Sequence, residues 1–437
     1  MLPYERRDGV LHAGRVSLVE VADRVGTPVY VYDRGHIESR YHALEQALAP
    51  LEADICYAVK ANGNLAVLDC LARLGAGFDI VSGGELQRVI SAGGDPGRVV
   101  FSGVGKRADE IDFALKTGIR CFNVESEPEL ERLAARARLL GRQAPVSVRV
   151  NPDVDPQTHP YITTGLKTSK FGVSPEQALR MYRRAAADPH LHVTGIDCHI
   201  GSQIGSPAPL LEALEGLLQL TDRLAADGIA VAHIDLGGGM GVNYRPFATD
   251  VADFDVDAYG SAIRQALTGR DLRLLLEPGR YLVANAGVLL TRVEYLKPAA
   301  AAESLSFAVL DAAMNDLIRP ALYQAWHDVV PVAPPAPGSA TARWQLVGPV
   351  CESGDFIGHD RDLALAEGDL LAVMSAGAYG MAQSSNYNSR GRAAEVMVEQ
   401  DGFRVVRRRE TVRDQLALEL PEDGDVAFGP MRPDRSS

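Results

Sequence analysis

Cysteine is scarce: Cys56, Cys70, Cys121, Cys198 and Cys351 are the five among 437 residues, an odd number, widely spaced and without a CxxC pair. That excludes a disulfide framework and a zinc ribbon. Four of them stand in apolar runs and read as buried thiols; Cys351 does not. Positive charge is also short, with 44 Lys plus Arg against 57 Asp plus Glu and a net charge of −13. A nucleic-acid or anionic membrane surface would need clustered basic side chains, so neither partner is expected and a small molecule is. No apolar run reaches the ~20 residues that cross a bilayer. The best candidate, Leu272 to Leu290, is broken by Glu277, Pro278 and Arg280. Met1 to Gly14 carries Glu5, Arg6, Arg7 and Asp8 where a signal peptide would have its apolar core, so cytoplasmic residence is the expectation.

What is present is an ordinary globular composition, 46% hydrophobic and 23% charged, which excludes disorder as the main state. Eight short apolar runs recur between stretches whose apolar residues fall at helical spacing: Asp54 to Ala61, Gly77 to Ser82, Arg98 to Ser102, Arg120 to Val124, Pro145 to Asn151, Val193 to His199, Ala232 to Leu236 and Leu272 to Glu277. Strand and helix in alternation imply parallel strands with right-handed crossovers. Eight such units predict an α/β fold, a (β/α)8 TIM-type barrel, with an open doubly wound sheet as the alternative. After Arg280 the texture changes to a C-terminal β-rich domain, with strands predicted over Tyr281 to Lys297, Ser306 to Ala312, Ala342 to Val350, Asp369 to Ser375 and Ala393 to Arg409. Val330 to Ala342, rich in Pro and Ala, reads as a surface loop. The expected division is an N-terminal segment 1–33, whose VYVYD run suits pairing with the β domain, a barrel 34–280, a β domain 281–418 and a poorly ordered acidic tail 419–437.

In a barrel, chemistry gathers at the C-terminal ends of the strands. Lys60 closes the first run, on one face with the small Cys56 and Ala58; alone it could equally be a solvated lysine. The seventh run ends in Gly237, Gly238, Gly239, Met240, Gly241, where Val242 breaks the GxGxxG pattern, so a dinucleotide fingerprint is disfavoured. Adjacent glycines after strand seven still suit a phosphate, or else form a plain turn. Glu277 in EPGR is a costly burial unless it pairs with Arg280 or faces a cation such as a protonated ring nitrogen. His199 in HIGSQ suits a hydrogen-bonded core imidazole or a platform for a flat ring. No second His or Cys stands at ligand spacing, so no metal is expected. Ser202 is a candidate hydroxyl for a phosphate. An amine, a phosphate cradle, a carboxylate and an imidazole on one rim match what pyridoxal 5'-phosphate requires.

The motifs YAVKAN (Tyr57 to Asn62), HIGSQ (His199 to Gln203), GGGMG, EPGR, GPVCESGDF (Gly348 to Phe356) and GAYGM (Gly377 to Met381) occur in that order. Together they resemble the fold type III pyridoxal phosphate-dependent decarboxylases, from about Gly26 to Arg409. MNDLIRPALY (Met314 to Tyr323) and YNSRGRAAEV (Tyr387 to Val396) resemble the branch that acts on a diamino diacid. The resemblance implies that Lys60 carries the cofactor, His199 stacks on its ring and Glu277 bonds its nitrogen. It implies a phosphate site from Gly238, Gly239, Gly279 and Arg280 with Ser202 and Tyr379. Arg280, Arg319, Tyr323 and Tyr379 would hold the substrate. Cys351 and Glu352 would reach the active site of a partner subunit, making a homodimer with shared sites, with Cys351 as proton donor. Only Gly391, where Pro or Leu is more usual, departs from the pattern, away from these positions.

A carboxylate facing the ring keeps it protonated and favours loss of CO2 over racemisation. A substrate with an amino-acid group at its far end suits the guanidinium of Arg319 with the carboxylate of Glu352. Meso-2,6-diaminopimelate going to L-lysine and CO2 is the expected reaction. The rivals are decarboxylation of another carboxylated amino acid such as carboxynorspermidine, a non-catalytic pyridoxal phosphate-binding regulator, and a cofactor-free barrel.

Overall fold

The computed structural model describes residues 3–154, 170–248, 253–300, 304–336 and 338–419. Eight parallel strands, Ala53–Ala58, Gly77–Ile80, Val99–Phe101, Cys121–Val124, Ala144–Arg149, Leu191–Asp197, His233–Asp235 and Arg273–Leu276, close into a barrel. Closure comes where Leu274 pairs with Ala53 and Leu276 with Ile55. An open sheet is therefore not the fold.

Helices return the chain between strands, and their starts are written in the sequence. Asn64, Ser82, Ser126, Ser174 and Asp255 each accept a backbone N–H of the first turn of the helix that follows, worth about 1 kcal/mol per cap. The apolar stripe of each helix packs on the strands. In the helix Ala208–Ala226 the buried residues are Leu210, Ala213, Leu214, Leu217, Leu218, Leu220 and Leu224, at helical spacing.

The barrel centre is narrow, and small side chains fill it. Cys56, Val100, Cys121 and Leu275 form a fully buried cluster there; Cys70 and Cys198 are buried elsewhere and Cys351 is exposed. Gly77 is required by this packing, since a Cβ on it would lie 2.5 Å from the Arg98 carbonyl oxygen and 2.8 Å from Cys56 Sγ. Gly77→Ala is expected to cost about 1–3 kcal/mol, read as a lower urea midpoint at unchanged slope.

The second layer is a nine-stranded sheet whose spine is the 11-residue strand Gly287–Lys297. Val29–Asp33 lies in this sheet, antiparallel to Gly287–Lys297 and parallel to Ala394–Glu399. It is buried on both faces. Val29 and Val31 join the core formed with Tyr4, Leu11 and Leu18, while Tyr30 and Tyr32 join the core on the barrel side. A separate three-stranded sheet, Tyr4–Arg7, Val10–Ala13 and Val16–Ser17, was not foreseen.

Several sequence expectations need correction. The run from Tyr281 is not strand throughout: Arg280–Val283 is a helical turn and the strand begins at Gly287. Phe356–Leu363 is a strand, and Val329–Pro331 pairs with Leu370–Val373 where a loop was expected to begin. The tail after Glu419 lies outside the described residues. Among the described residues no helix is long and apolar enough to cross a membrane.

Candidate active site

The C-terminal ends of the barrel strands open into a cavity of about 460 Å³. Lys60, His199, Ser202, Gly239, Glu277, Gly279, Arg280, Arg319, Tyr323 and Tyr379 all line it. Lys60 is not in the strand itself; it sits in the 3-10 turn Val59–Ala61 that follows. Its Nζ donates to Asp79 Oδ2 at 2.6 Å, and its side chain is 35% exposed to the cavity. Burial works against the ammonium, but Asp79, Glu277 and Tyr379 outweigh it and lift Lys60 above the ordinary lysine range.

The turns after the sixth, seventh and eighth strands interlock. The Gly238 N–H donates to His199 Nδ1 at 3.1 Å. Burial, then Arg149 and Lys60, pushes His199 well below the usual imidazole value. The ring is therefore neutral, with its proton on Nε2. Gly239, at φ +101°, approaches so closely that a Cβ would lie 2.7 Å from the Gly201 oxygen, and one on Gly238 would meet the Glu277 carbonyl. On Gly279 it would stand 3.0 Å from Ala61 Cβ. Only glycine lets these backbones approach one another and a ligand. The loop carrying Tyr379 belongs to the β layer and is tied to the first strand end, its N–H donating to the Ala61 carbonyl at 2.8 Å. Asn62 Nδ2 donates to the Gly377 carbonyl at 3.1 Å.

One wall is cationic. Arg280 donates to Ser202 Oγ at 2.9 Å and to the Tyr244 hydroxyl, and stacks 4.9 Å over Tyr379. Arg319 stacks 4.5 Å over Tyr244 and meets His327 Nε2 at 2.7 Å. Burial alone would raise the Tyr244 phenol, yet Arg280 and Arg319 hold it below its ordinary value. Both arginines are 6% exposed, and among the described residues neither pairs with a carboxylate. Two buried cations without anions cost several kcal/mol unless a ligand supplies the negative charge.

The floor is anionic. Glu277, 5% exposed, receives Ser102 Oγ and Asn123 Nδ2 only at 3.4 Å. Burial, then Asp235, Asp79 and Asp197, raises it well above the usual carboxyl range. Asp197 Oδ1 and Asp235 Oδ2 are buried without a hydrogen-bond partner. One oxygen from each of Asp197, Asp235 and Glu277 lies within 4.8 Å of the others, a spacing that a cation could also use. A ligand with a basic ring nitrogen toward this floor and a phosphate toward Arg280 and the glycine turns satisfies both walls. Pyridoxal 5'-phosphate fits this pattern, and Lys60 lines the same cavity.

A second cavity, about 620 Å³, is also lined by Lys60, together with Asn62, Glu85, Arg88 and Arg392, but not by His199 or the glycines after the seventh strand. Cys351 and Glu352 do not join either cavity. They are exposed on the loop before Phe356–Leu363, where Cys351 N–H donates to Asn388 Oδ1 at 2.8 Å and Glu352 Oε2 accepts from the Tyr387 hydroxyl at 3.3 Å.

Residues 34–284 match the family described as pyridoxal-dependent decarboxylase, pyridoxal binding domain. A relative from Pseudomonas aeruginosa named diaminopimelate decarboxylase is 60% identical over 96% of this chain and 99% of its own length. The chain belongs to the diaminopimelate decarboxylase family of pyridoxal-dependent decarboxylases. A Vibrio cholerae member is 54% identical over 95% of this chain and 99% of its own. The solved structure of the Helicobacter pylori diaminopimelate decarboxylase, complexed with L-lysine, superimposes with a TM-score of 0.87 at 41% identity, over 92% of this chain and 98% of that one.

Within that family frame, sequence reasoning missed Asp79, Asp197, Asp235, Tyr244, His327 and also Trp326, which lines the same cavity as Tyr244. The three aspartates left a signal: each is a lone acid in an apolar strand run, in GFDIVS, GIDCH and AHIDL. Tyr244, His327 and Trp326 lie outside named strands and helices, where no periodicity marks them.

Proposed function

We propose that the protein uses pyridoxal 5'-phosphate to decarboxylate meso-2,6-diaminopimelate to L-lysine and CO2. The observation that carries this is the pair Arg280 and Arg319, both buried, both without a carboxylate partner among the described residues, above a floor of three acids. Arg280 with Ser202, Tyr379, Gly238, Gly239 and Gly279 would hold the phosphate. His199 would lie against the ring, Glu277 would face its nitrogen and Lys60 would hold the cofactor covalently. Once bound, the cofactor supplies a sink for the electron pair left when CO2 departs.

Each side chain has a defined task. Asp79 orients Lys60 and, with Glu277, favours its ammonium form, so a proton must leave Nζ before the amine can act as a nucleophile. Neutral His199 presents a flat face without adding positive charge near the ring nitrogen. Arg319 and Tyr323 would bind the distal carboxylate, and the Arg319 charge would repel a substrate whose far end carries only an ammonium, as ornithine or lysine does. Tyr323 is steadied by Gln383 Nε2, which donates to its hydroxyl at 3.2 Å.

Cys351 and Glu352 are exposed and line neither cavity at Lys60. In this reading they complete the cavity of a second copy in a homodimer. Cys351 would then deliver the proton that replaces CO2, and Glu352 would bind the distal ammonium.

The test is product analysis with purified holoprotein: meso-diaminopimelate should give lysine and CO2 in equal amounts, with L,L-diaminopimelate, ornithine and lysine as controls. Turnover of another carboxylated amine with none of the meso compound would contradict the substrate. Arg319→Ala is expected to raise KM about 10–100-fold, the loss of a charge-assisted pair, with cofactor affinity unchanged. Equal loss of both would reassign Arg319.

A further inference from the structure

Asp197, Asp235 and Glu277 come from the ends of the sixth, seventh and eighth barrel strands, which are neighbours in the closed sheet. Asp197 is 1% and Asp235 0% exposed. Asp235 Oδ1 accepts the Gly237 N–H at 2.9 Å, while Asp235 Oδ2 and Asp197 Oδ1 accept nothing. The nearby cations are committed elsewhere: Arg149 bonds Glu125 at 3.2 Å, and Lys60 bonds Asp79 at 2.6 Å. Around Asp197 the other charged groups are thus Asp235, Arg149, Glu125 and Asp79, and Glu277 also faces Lys60. Three buried carboxylates this close, two of them with an oxygen that no donor reaches, favour a proton held among them over full ionisation.

We infer that Asp197, Asp235 and Glu277 form a nest that holds one proton before a ligand binds and passes it to the nitrogen of the heterocycle seated on Glu277. Asp197, which the proposed ligand does not touch, is then a positioning residue whose charge keeps that nitrogen protonated. The transfer balances simply. One carboxyl O–H bond breaks, one ring N–H bond forms, the nest becomes more negative by one charge and the ring more positive by one. Burial, the first cause at each of the three acids, raises all of them and supports the assignment.

The inference rests on the reading that a pyridine ring sits on Glu277, so its test has two arms. Infrared difference spectra of the apoprotein should show a protonated carboxyl band at neutral pH that vanishes on adding pyridoxal 5'-phosphate. With ¹⁵N-labelled cofactor, nitrogen NMR of the holoprotein should show ring deprotonation in Asp197→Asn at a pH lower by about one unit or more than in the native protein, because an anion within reach is gone. The cofactor should still load, with affinity lowered by no more than the ring's own pKa shift implies, and kcat should fall at constant KM.

Identical ring titrations in the two proteins would overturn the inference, and so would apoprotein without a protonated carboxyl. A divalent cation retained by apoprotein and lost in Asp197→Asn would do the same, since the nest would then be a metal site. If Asp197→Asn fails to fold, the band in native apoprotein and its loss on cofactor binding decide. A band that persists while the cofactor fails to bind at the ring position would leave the nest standing and sink the reading of the site instead.

Discussion

Cys351→Ala is expected to lower kcat by about 10²–10⁴-fold with little change in KM, the usual span for removing a positioned proton donor. The residue is exposed on its own subunit and lines neither of the two cavities at Lys60. Under the proposed function its chemistry would take place in the cavity of a second copy. The decisive form of the measurement mixes Cys351→Ala with Lys60→Ala protein, each nearly inactive alone. Heterodimers formed after subunit exchange should regain activity, because one of their two cavities would combine an intact Lys60 with an intact Cys351 from the other chain. Exchange that is complete by mass and restores nothing would place Cys351 outside the reaction.

Glu277→Gln should lower kcat by about 10²–10³-fold, the range seen when a group that stabilises developing charge is removed from a dry site. The amide has the same shape and can still bond a ring nitrogen, but it brings no negative charge. The cofactor should still load, since Lys60 and the phosphate site are untouched. Loss of cofactor from Glu277→Gln, with activity restored by excess pyridoxal 5'-phosphate, would instead give Glu277 a binding role alone.

The barrel was legible because its strands are short apolar runs set between amphipathic helices with capped starts, and because strand ends in this architecture are where chemistry sits. Lys60, His199 and Glu277 follow from that rule, although Lys60 lies one turn beyond the strand. The β layer was harder to read. In Phe356–Leu363 (FIGHDRDL) the exposed His359, Asp360 and Asp362 dilute the apolar signal. Its pairing with Ala342–Val347 slips in register, and Asp360 takes φ +51°. Val29–Asp33, by contrast, pairs with the β domain as its VYVYD run suggested, although its burial on both faces leaves no polar alternation to mark it. The aspartates of the floor are single acids in apolar runs, and an acid is seldom fully buried unless paired, yet Asp79, Asp197 and Asp235 are all 0–1% exposed. For Cys351 and Glu352 only the resemblance gave a role, since an exposed loop carries no local sign of the cavity it would serve.

The central claim is that one amine, Lys60, holds the cofactor between an anionic floor and a cationic wall. Reducing freshly prepared holoprotein with borohydride fixes the cofactor on whichever side chain carries it, and peptide mass analysis locates it. The account predicts a single labelled peptide with the modification on Lys60. A label on any other residue, or no label in protein that turns over substrate, would contradict it.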